Sequence, residues 1–114
     1  MDNPFEIEQD GGVVTARLDV PDVSYAQMQE LVQSCIERMR YDNANDFIVD
    51  LSKVEFLASA CLGALVELLQ DAEHQRGRVA LAGCNENVAF LFKVTKLDAV
   101  FALCDDIEEA LEHL

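Results

Sequence analysis

Phe47-Ile-Val-Asp-Leu-Ser-Lys-Val-Glu-Phe-Leu-Ala-Ser-Ala-Cys-Leu-Gly-Ala-Leu-Val-Glu-Leu-Leu69 is the stretch from which the rest of the chain can be read. It opens with an apolar run, Phe47 to Leu51, interrupted only by Asp50. Such a run predicts a strand buried on both faces. A short polar connection, Ser52 to Glu55, follows. Ser59 then stands just before Leu62, Leu65, Val66 and Leu69, whose spacing predicts a helix with one apolar face. A strand that hands the chain to a helix N-terminus presents unpaired backbone N–H groups and the positive end of a helix dipole, which suits recognition or an anion.

The same logic extends in both directions. Upstream, Phe5 and Ile7 alternate with Glu6 and Glu8, and Val14, Ala16 and Leu18 alternate with Thr15 and Arg17. Between them, Asp10-Gly-Gly12 tolerates positive φ, so the chain begins with an antiparallel hairpin. Asp19 to Val23 is expected to be a loop, because Pro21 cannot donate to a ladder. Ser24 and Gln27 have the spacing of a capping box. Tyr25, Met28, Leu31, Val32, Cys35, Ile36 and Met39 form the apolar stripe of a first helix, about Tyr25 to Arg40.

Downstream, the second helix is expected from about Ala60 to Gln75, stopped by Gly77. Arg78 to Ala82 predicts another short buried strand. Asn85 is placed to cap a third helix with Val88, Leu91 and Phe92 inward, and Lys93 and Lys96 complement the dipole near its end. Val100 to Leu103 predicts a last strand, and Asp105 with Glu108 a cap for a C-terminal helix carrying Ile107, Leu111 and Leu114. The order β-β-α-β-α-β-α-β-α implies right-handed crossovers. The expected architecture is one α/β domain over residues 1–114: a mixed, mostly parallel sheet, opened by an N-terminal hairpin and packed with about four helices.

Composition narrows the partners. Eight Lys and Arg against 22 Asp and Glu give a formal net charge of −14. Nucleic acid and anionic membrane surfaces would be repelled. A basic protein partner is compatible, although acidity also serves solubility. No apolar run approaches membrane-spanning length and no signal peptide is visible, so a cytoplasmic location without membrane insertion is expected. Cys35, Cys61, Cys84 and Cys104 show no C-x-x-C pattern and no His at metal-ligand spacing, and they read as reduced, small apolar residues. No metal and no cofactor is expected.

A search for catalytic sets returns little. Ser59 or Cys61 would need His74 or His113 as a base, and neither His is well situated. Gly63 is alone in its segment, and neither phosphate-binding glycine motif occurs. A binding module is expected rather than an enzyme.

The central stretch, with Arg76-Gly-Arg-Val-Ala-Leu-Ala-Gly83, the later Leu97-Asp98 and Phe101, and the Leu18-Asp19 pair, resembles the signature of STAS domains, the anti-sigma-factor antagonist family. The resemblance covers essentially the whole chain from Phe5. It implies a partner that is both serine kinase and anti-sigma factor, docked around Asp19 and the loop Ala58, Ser59, Ala60, Cys61, Leu62 and Gly63. In that family the loop typically reads Asp-Ser-Ser/Thr-Gly-Leu-Gly, and its second hydroxyl residue accepts a phosphate. Here the matching position is Ala60, and the family's acidic residue is replaced by Ala58. The phosphoswitch is therefore expected to be lost. Ser59 keeps a hydroxyl one position earlier, expected to cap the second helix, with relocated phosphorylation the lesser reading. Cys61 stands where a helix dipole could lower a thiol pKa, though a buried, inert thiol is the main expectation. Some STAS proteins are accessory subunits of membrane phospholipid-transport ATPases, which is the alternative function.

Overall fold

A computed structural model of the protein describes residues 4–114. In chain order the elements are β1 (Phe5–Asp10), β2 (Val13–Leu18), β3 (Asp22–Val23), α1 (Tyr25–Tyr41), β4 (Asp46–Asp50), β5 (Phe56–Leu57), α2 (Ala60–His74), β6 (Val79–Ala82), α3 (Glu86–Val94), β7 (Ala102–Cys104) and α4 (Ile107–Glu112). A single 3-10 turn, Leu97–Ala99, lies between α3 and β7.

The main sheet has the order β1-β2-β4-β6-β7. The β1/β2 hairpin is antiparallel, pairing Asp10 with Val13 across a tight turn in which Gly11 takes φ 60°. The other neighbours are parallel. The hairpin and the mostly parallel sheet are as the alternation predicts.

Two-sided cover explains why β4 and β6 read as unbroken apolar runs. Val14, Ala16, Leu18, Phe47, Val49, Val79 and Leu81 belong to the large core with α1 and α2, whereas Ile48, Ala80, Ala82 and Cys104 pack against Ala110 of α4 on the other face. Helix α1 buries Met28, Leu31, Val32, Cys35, Ile36 and Met39. Each large apolar side chain so buried contributes about 1.5–3 kcal/mol before entropy is counted. Tyr25 departs from the expected stripe: as the first helical residue it stays 45% exposed, and its hydroxyl accepts from Gln29 Nε2 at 2.7 Å. The Ser24/Gln27 capping box forms with both bonds in place, and Asn85 caps α3 by accepting from Val88 N at 2.8 Å.

Three local expectations about element boundaries are corrected. Asp19 to Val23 is not all loop, since Asp22 and Val23 pair in parallel with Phe56 and Leu57. Pro21 permits this because it contributes its carbonyl, which accepts from Glu55 N at 2.7 Å and Phe56 N at 2.9 Å. The last strand begins at Ala102 rather than Val100, because Phe101 N is spent on Leu97 O at 2.9 Å and its ring packs edge-to-face on Phe92, centroids 5.7 Å apart. The α4 cap falls one residue later than Asp105/Glu108. Asp106 accepts from Glu109 N at 2.8 Å, and Glu109 Oε2 accepts from Asp105 N at 3.1 Å.

Gly77 follows α2 for a different reason from the expected one. The left-handed residue there is Arg76, with φ 62°. Gly77 is demanded by proximity, because a Cβ at this position would stand 1.8 Å from the backbone oxygen of Asn45.

Candidate functional site

The parallel pairing of β2, β4 and β6 delivers three loops to one end of the sheet, the carboxyl end, where open α/β sheets commonly bind. These loops are clasped to one another by backbone groups. The β3/β5 pairing and the Pro21 carbonyl join the segment after β2 to the segment after β4. Asn85 Nδ2 donates to Val54 O at 3.3 Å and Glu55 O at 3.2 Å, which adds the start of α3. Gly83 is needed at this junction: its φ is +75°, and a Cβ would lie 2.7 Å from the Ser52 side chain.

Asp50 fixes the exit from β4. It is the one charged residue buried among the described residues, with 6% of its surface exposed. Its Oδ2 accepts from Arg17 Nε at 3.2 Å and its Oδ1 from Ser52 N at 3.0 Å. A buried carboxylate satisfied at both oxygens holds the turn that leads to β5.

Asp19 lies on the surface just after β2, with Oδ1 2.9 Å from Lys53 Nζ. The hydrogen bond and charge of Asp19 raise the Lys53 pKa. Both side chains are exposed, so the pair contributes orientation more than stability. The structure thus brings Asp19 to the same end of the sheet as the Ala58–Gly63 segment.

That segment divides by exposure. Ala58, Ser59, Ala60 and Gly63 are on the surface, whereas Cys61 and Leu62 face the core. Ser59 does not cap α2 as expected. Its backbone is already helical, φ −59° and ψ −29°, a geometry from which a side chain does not reach back as a cap, and its hydroxyl makes no capping bond. Backbone groups close the first turn instead, with Cys61 N donating to Ala58 O at 2.9 Å and Leu62 N to Ser59 O at 3.1 Å. Ala60 is the first helical residue and carries no polar atom beyond its backbone.

Cys61 is fully buried and its Sγ donates to Val23 O at 3.7 Å, joining α2 to β3. Burial pushes its thiol pKa up, against the lowering effect of backbone hydrogen bonds at Ala58 and at its own amide. The helix dipole does not produce a low-pKa thiol here. Cys35 and Cys84 are likewise pushed up by burial, to about 12 and about 11. All four cysteines are free.

Sequence reasoning missed the apolar part of this end. Phe56 on β5 is 58% exposed, and Phe90 and Val94, one turn apart on α3, are 64% and 57% exposed. Helix α3 packs against β5. The signal was present: α3 carries more apolar residues than Val88, Leu91 and Phe92 need for an inward stripe, and the surplus faces solvent. A depression of about 360 Å³ nearby is lined by Asp50, Ser52, Gly83, Asp105, Asp106 and Glu108. Its carboxylates oppose a phosphate-bearing ligand.

No described helix is long and apolar enough to cross a membrane. Among known proteins, a Thermotoga neapolitana protein named as a candidate anti-sigma factor antagonist is 36% identical over 70 residues, 61% of this chain and 62% of that protein. The match thus spans less than two thirds of that relative's length. The crystal structure of a candidate anti-sigma factor antagonist from Thermotoga maritima superposes with a TM-score of 0.79 at 25% identity, covering 96% of this chain and 92% of that one. The anti-sigma factor antagonist SpoIIAA shares the fold in its unphosphorylated form, with TM-score 0.84, 17% identity and coverage of 96% and 94%. In its phosphorylated form, from Bacillus, the values are 0.74, 15%, 96% and 97%. The STAS domain family model matches residues 4–110. Spanning nearly the whole chain, and in agreement with the sheet order and the loop geometry, that match means the chain belongs to the STAS domain family.

Proposed function

We propose that this chain is a regulatory protein-binding module of the anti-sigma-factor antagonist type, competent without phosphorylation at the α2 N-terminus. It docks a serine-kinase-like anti-sigma partner through the exposed surface of Asp19, Ala58, Ser59, Ala60, Gly63, Phe56 and Phe90. The observation that carries the reading is Ala60 at the first position of α2, on a surface backed by clasped loops and flanked by exposed aromatic rings. Clasped loops reduce the ordering cost of binding, and exposed aromatic side chains are the usual anchors of an interface. With no hydroxyl at Ala60, no charge can be added at that point to dismiss the partner.

The module acts by binding rather than catalysis. Helix α2 separates His74 from Ser59 by roughly 20 Å at 1.5 Å per residue. His113 follows α4, on the opposite face of the sheet from α2. Neither can serve Ser59 or Cys61 as a base.

One observation supports a second reading in which the switch sits on Ser59. Its exposed hydroxyl is not engaged as a cap, and a phosphate there would add roughly −1.5 to −2 charges at a helix N-terminus, where anions are stabilised. Calorimetric titration of the chain with a serine-kinase-type anti-sigma protein, with and without ATP, tests the proposal. Binding that persists with ATP supports it, and binding abolished by ATP supports the Ser59 reading. Absence of binding, with co-purification of a transporter nucleotide-binding subunit, replaces both with the transport-accessory role.

A further inference from the structure

On the sheet face opposite the large α1/α2 core, the fold gathers three metal-ligating side chains that are separate from the docking surface. Cys104 ends β7, Glu109 lies in the first turn of α4, and His113 follows one turn later. Residues four apart share a helix face, so Glu109 and His113 point the same way. Cys104, Glu109 and His113 each offer one ligand atom, and the three atoms lie within 4.8 Å of one another. We propose that Cys104, Glu109 and His113 bind one zinc-class divalent cation, leaving a fourth position to water.

Chemistry and geometry agree on the ion. A thiolate, an imidazole and a carboxylate form a mixed sulfur–nitrogen–oxygen set, which favours zinc over calcium or magnesium. Tetrahedral zinc holds such atoms at about 2.0–2.3 Å, which sets them roughly 3.3–3.7 Å apart. Ligand atoms already within 4.8 Å of one another must close by about 1 Å or a little more to reach those separations. The surroundings are prepared as well. Glu109 Oε2 accepts from Asp105 N at 3.1 Å, which orients the carboxylate and leaves its other oxygen for the ion. Asp105 and Asp106 add negative charge close to Cys104. Arg78 Nη1 donates to the His113 backbone oxygen at 3.0 Å, a contact to the main chain and not to the imidazole. Cys104 is buried, Glu109 half-buried and His113 exposed, so the site opens to solvent on its His113 side. A bound ion would fasten α4 to the edge strand β7.

The test uses the full chain, reduced with a non-chelating phosphine, and zinc chloride as the probe. Equilibrium dialysis with elemental analysis is expected to find one zinc per chain. The melting temperature is expected to rise by roughly 10 °C when free zinc is about 100 times its dissociation constant. Cobalt(II) substitution should give a thiolate-to-cobalt charge-transfer band in the near ultraviolet. His113→Gln and Glu109→Gln, on side chains that are not fully buried, should each remove these signals while circular dichroism stays unchanged. Cys104→Ala should remove the charge-transfer band. Cys84→Ser is the control for a neighbouring thiol close enough to Cys104 to interact with it electrostatically. No stoichiometric zinc on the unmodified chain overturns the proposal. So does zinc binding that survives both His113→Gln and Glu109→Gln, or calcium binding as tight as zinc.

Discussion

Removing the Arg17–Asp50 pair should show how the exit from β4 is held. Asp50 is buried and makes two bonds, to Arg17 Nε and to Ser52 N, and Arg17 also lies 3.8 Å from Glu6. Arg17→Ala strands a buried carboxylate with one remaining donor, a penalty of about 3–5 kcal/mol for a fully buried pair. The Arg17 side chain is 32% exposed, so water can replace part of its role. The expected loss is therefore about 1–3 kcal/mol. Asp50→Asn keeps an acceptor for Ser52 N but loses the charge-assisted bond, for about 1–2 kcal/mol. The double variant should lose less than the sum, with a coupling of about 1–2 kcal/mol. Urea unfolding is the assay, and with slopes of about 1–3 kcal/mol/M each single variant should lower the midpoint by roughly 0.5–2 M. A coupling below about 0.3 kcal/mol would refute the assignment of Asp50 as a satisfied buried charge that organises this turn.

Gly77→Ala should destabilise by about 2 kcal/mol or more in the same assay, because the new methyl meets backbone rather than a side chain that can move aside. Gly63→Ala, in a helical turn with nothing within 4 Å of the added carbon, should instead stabilise by about 0.5–1 kcal/mol. If a partner's backbone uses that space, the same variant should bind more weakly, which surface plasmon resonance can read. Phe56→Ser and Phe90→Ser should leave stability within about 0.5 kcal/mol and weaken the partner about tenfold or more. Folding raises the Cys35 thiol from 9.0 to about 12, so the folded state holds a proton that the unfolded chain releases. Its contribution is full below pH 9 and declines as pH rises from 9 towards 12. Alkaline unfolding curves should show that decline, and Cys35→Ala should flatten it.

Periodicity carried the long elements and missed what is set by contacts between distant segments. The α1 stripe and the apolar runs of β4 and β6 are legible because each burial pattern repeats along a single element. Strands β3 and β5 have two residues each, too few for alternation, and exist because the Pro21 carbonyl meets the turn after β4. Gly77 looked like a helix stop, but its cause is the Asn45 oxygen, more than 30 residues away in sequence. At the site, the residue types at Asp19 and at Ala58 to Gly63 were readable, and so were the inward turn of Leu62 on the apolar face of α2 and the burial of Cys61. The backbone at Ser59 was not readable: it takes helical dihedrals one residue ahead of α2, so its side chain does not cap the helix. The Cys104/Glu109/His113 set was hidden because Cys104 precedes the helix that carries the other two, and no contiguous ligand motif marks it.

The central claim is a docking surface whose phosphoswitch at the first position of α2 has been lost. Its most direct test is intact-mass analysis after incubation with ATP and serine kinases of the anti-sigma class, comparing the unmodified chain with Ala60→Ser and Ser59→Ala. The account predicts an unmodified chain that still binds its partner, while Ala60→Ser gains one phosphate and releases it. A phosphate on the unmodified chain that disappears in Ser59→Ala would contradict the claim and move the switch to Ser59.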